Sequence, residues 1–344
     1  MSDMKSRDPF WDALKFVLIC LVVLGHVVEF WNLNGSHIDM ALYNTIFAFH
    51  MPLFVFVSGR FSHISDRKRY RNGIFRLLET YVVFQLLRYL IPVVVGPTFA
   101  WIAQGRNFGW DCLITPNWVL WYLLALVWWR LAVYWLPARW LEKRGAVMAI
   151  TVAVSLAVGF IPVTTEFAFQ RTFTFLPFFA LGYYSKDIDV KRIVDRVPLW
   201  LAIATIASVF VIFLFVIDTS MASVFCARSY YDMPGGELSL SLLGGRCAFL
   251  VLAVVMSVMV MRIVPANAQL ARWGGSTLFI YIYHSFLVGE ILYPLRALHL
   301  IPQNEVALLG YSAAIIVGLL LLSKVKLLNI LLNPVTYCVN RKKR

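Results

Sequence analysis

Apolar residues fall in ten blocks along the chain, separated by short polar or charged stretches. The blocks cover about Ala13–Phe30, Ala41–Phe61, Leu77–Phe99, Trp118–Trp135, Ala146–Val163, Thr172–Tyr184, Trp200–Val216, Leu242–Met261, Gly274–Tyr293 and Val306–Leu322. All but Thr172–Tyr184, which is short and carries Pro177, approach the ~20 residues a helix needs to cross hydrocarbon. The pattern predicts an all-α polytopic membrane protein of about ten transmembrane helices, read as one domain over residues 1–344 with a basic tail at 323–344. An apolar stretch inside that tail, ending in Arg341-Lys342-Lys343-Arg344, predicts an interfacial helix that favours anionic lipid.

Polar residues inside the blocks are few, and each needs a reason, because an intramembrane ionisable group is costly unless partnered or wet. The run that starts at Arg7-Asp8-Pro9 carries Lys15 and, eleven positions on, His26. Eleven residues is close to three helical turns, so the two side chains share a face about 16 Å apart along the axis. That spacing suits a cation at one mouth of a cavity and an imidazole deeper inside. It equally suits a lysine whose ammonium reaches the interface and a core histidine bonded to a neighbouring helix. His50, two residues before Pro52, and His284 lie in other blocks. Counted from the outer helix ends, His26, His50 and His284 sit about 7, 13 and 15 Å deep, so all three are placed to open onto one cavity. A structural role bonding a neighbouring helix competes for His50 and His284. Pro52 predicts a bend, and Ser58-Gly59 predicts a close helix approach. Arg88 is mid-helix and needs a partner or an anion, and Trp118–Tyr122 reads first as an interfacial aromatic belt.

Charge distribution sets a topology. Twenty-three of the 31 Lys and Arg fall in segments on one side when both termini are placed in the cytoplasm. The net charge of +13 is therefore topological, and no aromatic-interleaved basic module for nucleic acid is present. With 60% hydrophobic and 14% charged residues, a soluble globular domain is excluded. The first block is too long, and lacks a small-residue cleavage site, to read as a cleavable signal peptide. The five cysteines show no CxxC or Cys/His metal spacing, so no metal is expected; Cys112 and Cys226 fall in expected outer loops, where a disulfide is weakly supported. There is no GxSxG, P-loop, HExxH or Gly-rich dinucleotide turn, which leaves serine-elbow, nucleotide-hydrolysis and zinc-protease readings unsupported.

Several local patterns coincide with one family. Arg7…Asp12…Lys15…Gly25-His26 resembles the opening of the acyltransferase-3 family of membrane acyltransferases, where a basic residue precedes a histidine by eleven positions. Phe49-His50-Met51-Pro52-Leu53-Phe54 through Ser58-Gly59 is similar to its second-helix motif, and Trp118-Val119-Leu120-Trp121-Tyr122-Leu123 to its fourth. Phe178–Tyr184 and Ser276–His284 resemble its later motifs. The nearest flavour is the branch resembling fucose 4-O-acetyltransferases and exopolysaccharide O-acetylases. Two departures are Lys15, where some members have arginine, and Arg60 directly after Ser58-Gly59. Many relatives add a C-terminal esterase-like domain; none is expected here, so transfer is expected to be completed within the membrane domain or by a separate partner.

The resemblance implies transfer of an acetyl group from cytoplasmic acetyl-CoA to a sugar hydroxyl of a cell-envelope glycan or its lipid-linked precursor, in a cell membrane. A sugar hydroxyl needs a base of near-neutral pKa, which an imidazole supplies. It implies His26 as general base, or as an acyl-carrying nucleophile, with His50 or His284 polarising the thioester carbonyl or binding the acceptor. Arg7, Asp12, Lys15 and Arg71 are then the expected donor contacts, and Trp121, Tyr122 and Arg88 the expected acceptor contacts. Partners are acetyl-CoA, a carbohydrate acceptor and membrane lipid, with homo-oligomerisation left open and no nucleic acid. A transporter or flippase for a glycan or small solute is the alternative, though no paired inverted halves with broken helices are visible.

Overall fold

A computed structural model describes residues 8–31, 36–95, 109, 112–161, 165–217, 220–225 and 240–341. Arg7, Cys226 and most of the loop 217–241, with Asp218, Asp232 and Glu237, lie outside the described residues. Among the described residues there is no strand, and each of the ten apolar blocks falls on helix.

In chain order the helices that matter here are α1 (Pro9–Trp31), α2 (His37–Phe47), α3 (His50–Arg60), α4 (Arg67–Val95), α5 (Trp121–Trp135), α6 (Arg144–Ala157), α7 (Phe169–Thr174), α8 (Leu176–Tyr184), α9 (Leu199–Phe215), α10 (Leu240–Ile263), α11 (Thr277–Phe286), α12 (Tyr293–Ala297), α13 (Glu305–Leu322), α14 (Lys326–Leu332) and α15 (Pro334–Arg341). Six spans among the described residues are long and apolar enough to cross a membrane: Pro9–Phe30, His37–Arg60, Trp118–Trp135, Leu243–Ile263, Ala268–Ala297 and Glu305–Leu322. The chain is a helical membrane protein.

Two of the expected blocks, and one stretch between blocks, differ in detail. The second is two helices, α2 and α3, joined at Ala48-Phe49. Pro52 causes the break: without an N–H it cannot bond the carbonyl four residues back, which belongs to Ala48. The block at Thr172–Tyr184 is likewise split, between α7 and α8 at Phe175-Leu176. The basic stretch Arg67–Arg76, which lies between the second and third apolar blocks, is the first turns of α4, with Asp66 Oδ1 accepting from the Arg69 backbone N–H at 2.8 Å.

α1 is the central element. It packs against α2, α3, α11 and α13, and residues such as Leu14, Leu18, Val23 and Val27 are fully buried along it. Its first turns press on the turn Gly274–Ser276, where a Cβ on Gly274 would lie 2.5 Å from the Asp12 carbonyl oxygen. α3 and α8 cross backbone to backbone. A Cβ on Gly59 would lie 2.0 Å from the Phe179 carbonyl oxygen, and one on Gly182 would lie 1.9 Å from the Phe56 carbonyl oxygen. The expected close approach at Ser58-Gly59 is thus made, with Gly182 as its reciprocal partner. The arginine after Gly59, unusual in the motif, has a local function: the Arg60 guanidinium donates to the Ser185 and Ile188 carbonyls just past α8 and lies 4.4 Å over the Trp11 ring.

Candidate active site

His26 projects from α1 about one turn before its end, and Glu29 follows three residues later on the same face. The His26 Nδ1–H donates to Glu29 Oε2 at 2.8 Å. A carboxylate only accepts, so the proton of the neutral ring is on Nδ1 and the lone pair is on Nε2. The ring is walled by aromatics: Trp118 at 4.7 Å, Phe47 at 5.8 Å and the His284 ring stacked at 5.4 Å.

His50 opens α3 at the Pro52 break. Its Nδ1–H donates to the Ile46 carbonyl at 2.8 Å, so the side chain bridges the gap between α2 and α3. His284, on α11, does the same with the Ile280 carbonyl at 3.0 Å. A carbonyl oxygen cannot donate, so both rings carry their proton on Nδ1 and offer an Nε2 lone pair. That state suits holding a hydroxyl. It does not suit polarising a carbonyl, which needs a donor.

A cavity of about 40 Å³ is lined by His26, Glu29, His50, Trp121, Arg171 and Tyr281, among others. This is room for two or three waters, so a larger guest requires the walls to move. The sequence-derived candidates distribute around it unevenly. His26, His50 and Trp121 line it, and His284 stacks on His26 from behind. Tyr122 is buried with its hydroxyl on the Ser58 hydroxyl, beside the Tyr281 ring, and is outside the lining. Lys15 stands at the other end of α1 in an ion pair with Asp12 at 2.5 Å. Arg71 lines a separate groove of about 690 Å³ between α4 and α15, with Lys68, Arg76, Val82 and Val339. Arg88 is 1% exposed and paired, donating to Glu290 at 2.5 Å and to the Ser285 hydroxyl at 2.6 Å. Among the described residues no group of His, Cys, Asp and Glu is placed to hold a metal ion.

Two of the cavity's lining residues, Glu29 and Arg171, carry a carboxylate and a guanidinium that were not singled out by the sequence. Glu29 carried a usable signal, the i,i+3 spacing from His26 inside an apolar run. Arg171 carried none, yet its guanidinium lies 5.0 Å over the Trp121 ring and lines the cavity.

The wall before α5 is unusual. Trp118 adopts φ +43°, a left-handed conformation that a bulky residue holds only under constraint, at a cost of roughly 1–3 kcal/mol. The constraint comes from α4. Gln85 donates from Nε2 to the Cys112 and Thr115 carbonyls, each at 2.7 Å, and accepts the Asn117 backbone N–H at 2.9 Å, while the Tyr81 hydroxyl donates to the Leu113 carbonyl at 2.8 Å. Cys112, expected in an outer loop, is buried in this clamped segment with a free thiol.

A bundle of membrane-length helices enclosing a carboxylate-held imidazole has the parts for proton transfer at a group shielded from water. The family profile described as "Acyltransferase domain" matches residues 8–323, and the chain belongs to that acyltransferase-3 family. Among curated proteins it is similar to nodulation protein NolL of Sinorhizobium fredii, 27% identical over 192 residues, and to nodulation protein NolL of Mesorhizobium japonicum, 24% identical over 192 residues. Each alignment covers 52% of this chain and 48% of the relative, so the chain spans about half the length of the curated relatives it matches. No solved structure matches.

Proposed function

We propose that the chain is a membrane O-acetyltransferase that takes an acetyl group from acetyl-CoA and places it on a sugar hydroxyl of a cell-envelope glycan or its lipid-linked precursor. The proposal includes ten membrane crossings with both termini cytoplasmic and residues 1–344 acting as one transmembrane domain. The carrying observation is the His26–Glu29 hydrogen bond at 2.8 Å inside the buried cavity.

The chemistry follows from the free Nε2. It takes the proton of the acceptor hydroxyl as the oxygen attacks the thioester carbonyl carbon. The C–S bond then breaks, and the imidazolium returns the proton to the leaving thiolate, giving CoA and the acetyl ester. Glu29 holds the ring orientation and offsets the imidazolium charge. His50 and His284 accept hydrogen bonds from the sugar, with Trp121, Tyr122 and Arg88 shaping the acceptor side. The donor's phosphates are assigned to the cations at the basic end: Arg7, Lys15 oriented by Asp12, and Arg71 with Lys68 and Arg76.

The test is CoA release from acetyl-CoA by the purified protein in lipid, with His26→Ala alongside. Release by the native protein that falls by at least about 10²-fold in the variant supports the assignment. Full release by a folded His26→Ala protein removes His26 from the chemistry.

A further inference from the structure

Beside Trp118, which lines the cavity, is a second polar cluster, of which the proposed reaction uses His284 and Arg88 only as general acceptor contacts and Asn117 and Glu290 not at all. Trp118 touches both sites: its ring is 4.7 Å from that of His26, and the Arg88 guanidinium lies 5.9 Å from its centroid. On Arg88, its partner Glu290, His284 beside Ser285, and Asn117, the residue before Trp118, five buried polar atoms have no hydrogen-bond partner among the described residues: Arg88 Nε, Asn117 Nδ2, Asn117 Oδ1, His284 Nε2 and Glu290 Oε2. Asn117 and Arg88 are each 1% exposed and His284 is fully buried. One such atom is unremarkable. Five on four side chains gathered at Trp118 and Arg88, each costly to leave dry, mark a place built for something polar.

The chemistry of the cluster narrows the guest. Two of the free atoms are donors, Arg88 Nε and Asn117 Nδ2. Three are acceptors: Asn117 Oδ1, Glu290 Oε2 and His284 Nε2, whose lone pair is fixed by the Nδ1–H bond to Ile280. The Arg88 charge is already met by Glu290 at 2.5 Å, so the site carries no surplus charge to attract an anion. The flat Trp118 ring supplies an apolar face beside these groups. Glu290 stands on a π-helical turn, Leu287–Leu292, a local widening of the helix of a kind that recurs at functional sites.

We propose that this cluster is the acceptor's sugar-ring subsite, and that it takes an uncharged, hydroxyl-rich pyranose rather than a uronate or a phosphate. The inference rests on the acetyltransferase reading above. Trp118, held in its left-handed conformation by the Gln85 clamp, is the partition between this subsite and His26. The ring hydroxyls pair with Asn117, His284 and Glu290, and the hydroxyl to be acylated projects past Trp118 to His26 Nε2.

The test is photo-crosslinking in lipid nanodiscs, read by peptide mass spectrometry. The probes are octyl β-glucoside carrying a diazirine beside the anomeric carbon, and octyl β-glucuronide carrying the same group. The neutral probe is expected to label residues 117–118 or 284–290 saturably, at least about fivefold more than the glucuronide. Asn117→Leu swaps an unpaired buried amide for an apolar side chain of similar volume, so it is expected to fold with a Tm at or above the native value and to lose about fivefold or more of the label. His26→Ala is expected to keep the label, which separates this subsite from the assignment of the base: lost transfer with retained label supports the subsite, and persistent transfer refutes only the base. Labels that map elsewhere, or undiminished labelling of Asn117→Leu, would leave the cluster as a site for internal water, and equal labelling by the glucuronide would remove its selectivity for an uncharged ring; each overturns the proposal.

Discussion

At the residue scale, the main question is why a carboxylate stands beside a histidine in an apolar helix end. Glu29 is half-buried and shares one hydrogen bond with His26. Its value appears only when the imidazole becomes cationic, which in the proposed reaction is the transition state; that makes it a positioning residue for the base. Glu29→Gln keeps the size and removes the charge. We expect kcat for CoA release to fall about 10–10²-fold with donor KM changed little, and Glu29→Asp to restore part of it. An unchanged kcat in Glu29→Gln would reduce the contact to packing. The Arg88–Glu290 pair is a different case, because here both charges are buried and each needs the other. Arg88→Met alone should destabilise the protein by about 3–5 kcal/mol by stranding Glu290, while adding Glu290→Leu should recover most of the loss. Thermal unfolding of the two variants in one detergent checks this; equal Tm values for single and double variants would refute the coupling.

At the scale of elements, the α3–α8 crossing determines whether the cavity exists, since α3 carries His50 to it. The contact has no side chain to give way: the would-be Cβ atoms at Gly59 and Gly182 meet backbone atoms of Phe179 and Phe56. Gly182→Ala must push the helices apart and should cost at the upper end of the ~1–3 kcal/mol typical of overpacking, or more. Gly145→Ala meets nothing within 4 Å in α6 and should be neutral or slightly stabilising, which makes it the control. Paired Tm measurements with a drop in the first and none in the second are the expected result. This level of structure was largely legible in the sequence. Block lengths gave the helices, Pro52 the break, and Ser58-Gly59 one half of the crossing. The other half, Gly182, is more than a hundred residues away, and nothing local pairs the two. The same limit hid Glu290, whose meaning lies in the Arg88 guanidinium that α4 brings next to it. Trp118 was read as a belt residue because its left-handed backbone is imposed by Gln85 on α4, a tertiary constraint without a local sequence signal.

At the scale of the whole molecule, the chain closes on itself. The basic tail forms α14 and α15; α14 returns to α4 and α11, where the Thr80 hydroxyl donates to the Leu332 carbonyl at 2.9 Å and the Tyr283 hydroxyl to the Leu328 carbonyl at 2.8 Å, and α15 returns to α4. The final helix is held by Glu79. Its carboxylate accepts the Val335 N–H at 2.5 Å, the Thr336 N–H at 3.1 Å and the Thr336 hydroxyl at 2.6 Å, capping the first turn of α15 from a side chain on α4. This explains how an amphipathic segment, expected only to lie at the interface, becomes the second wall of the groove that contains Arg71. A carboxylate at a helix N-terminus contributes both hydrogen bonds and a favourable interaction with the helix dipole, together about 1–2 kcal/mol. Glu79→Gln keeps one acceptor and loses the charge; Glu79→Ala loses both. The docked fraction of α15 should therefore fall in that order, and tryptic cleavage after Arg341 should quicken about fivefold or more in Glu79→Ala, since ~1 kcal/mol is about a fivefold change in the undocked population. The groove's cations would then lack one wall, so KM for acetyl-CoA should rise along the same series while cleavage elsewhere in the chain stays at the native rate. Cleavage that quickens with donor KM unmoved would detach Arg71 and its groove from the donor and leave the tail as a structural clasp.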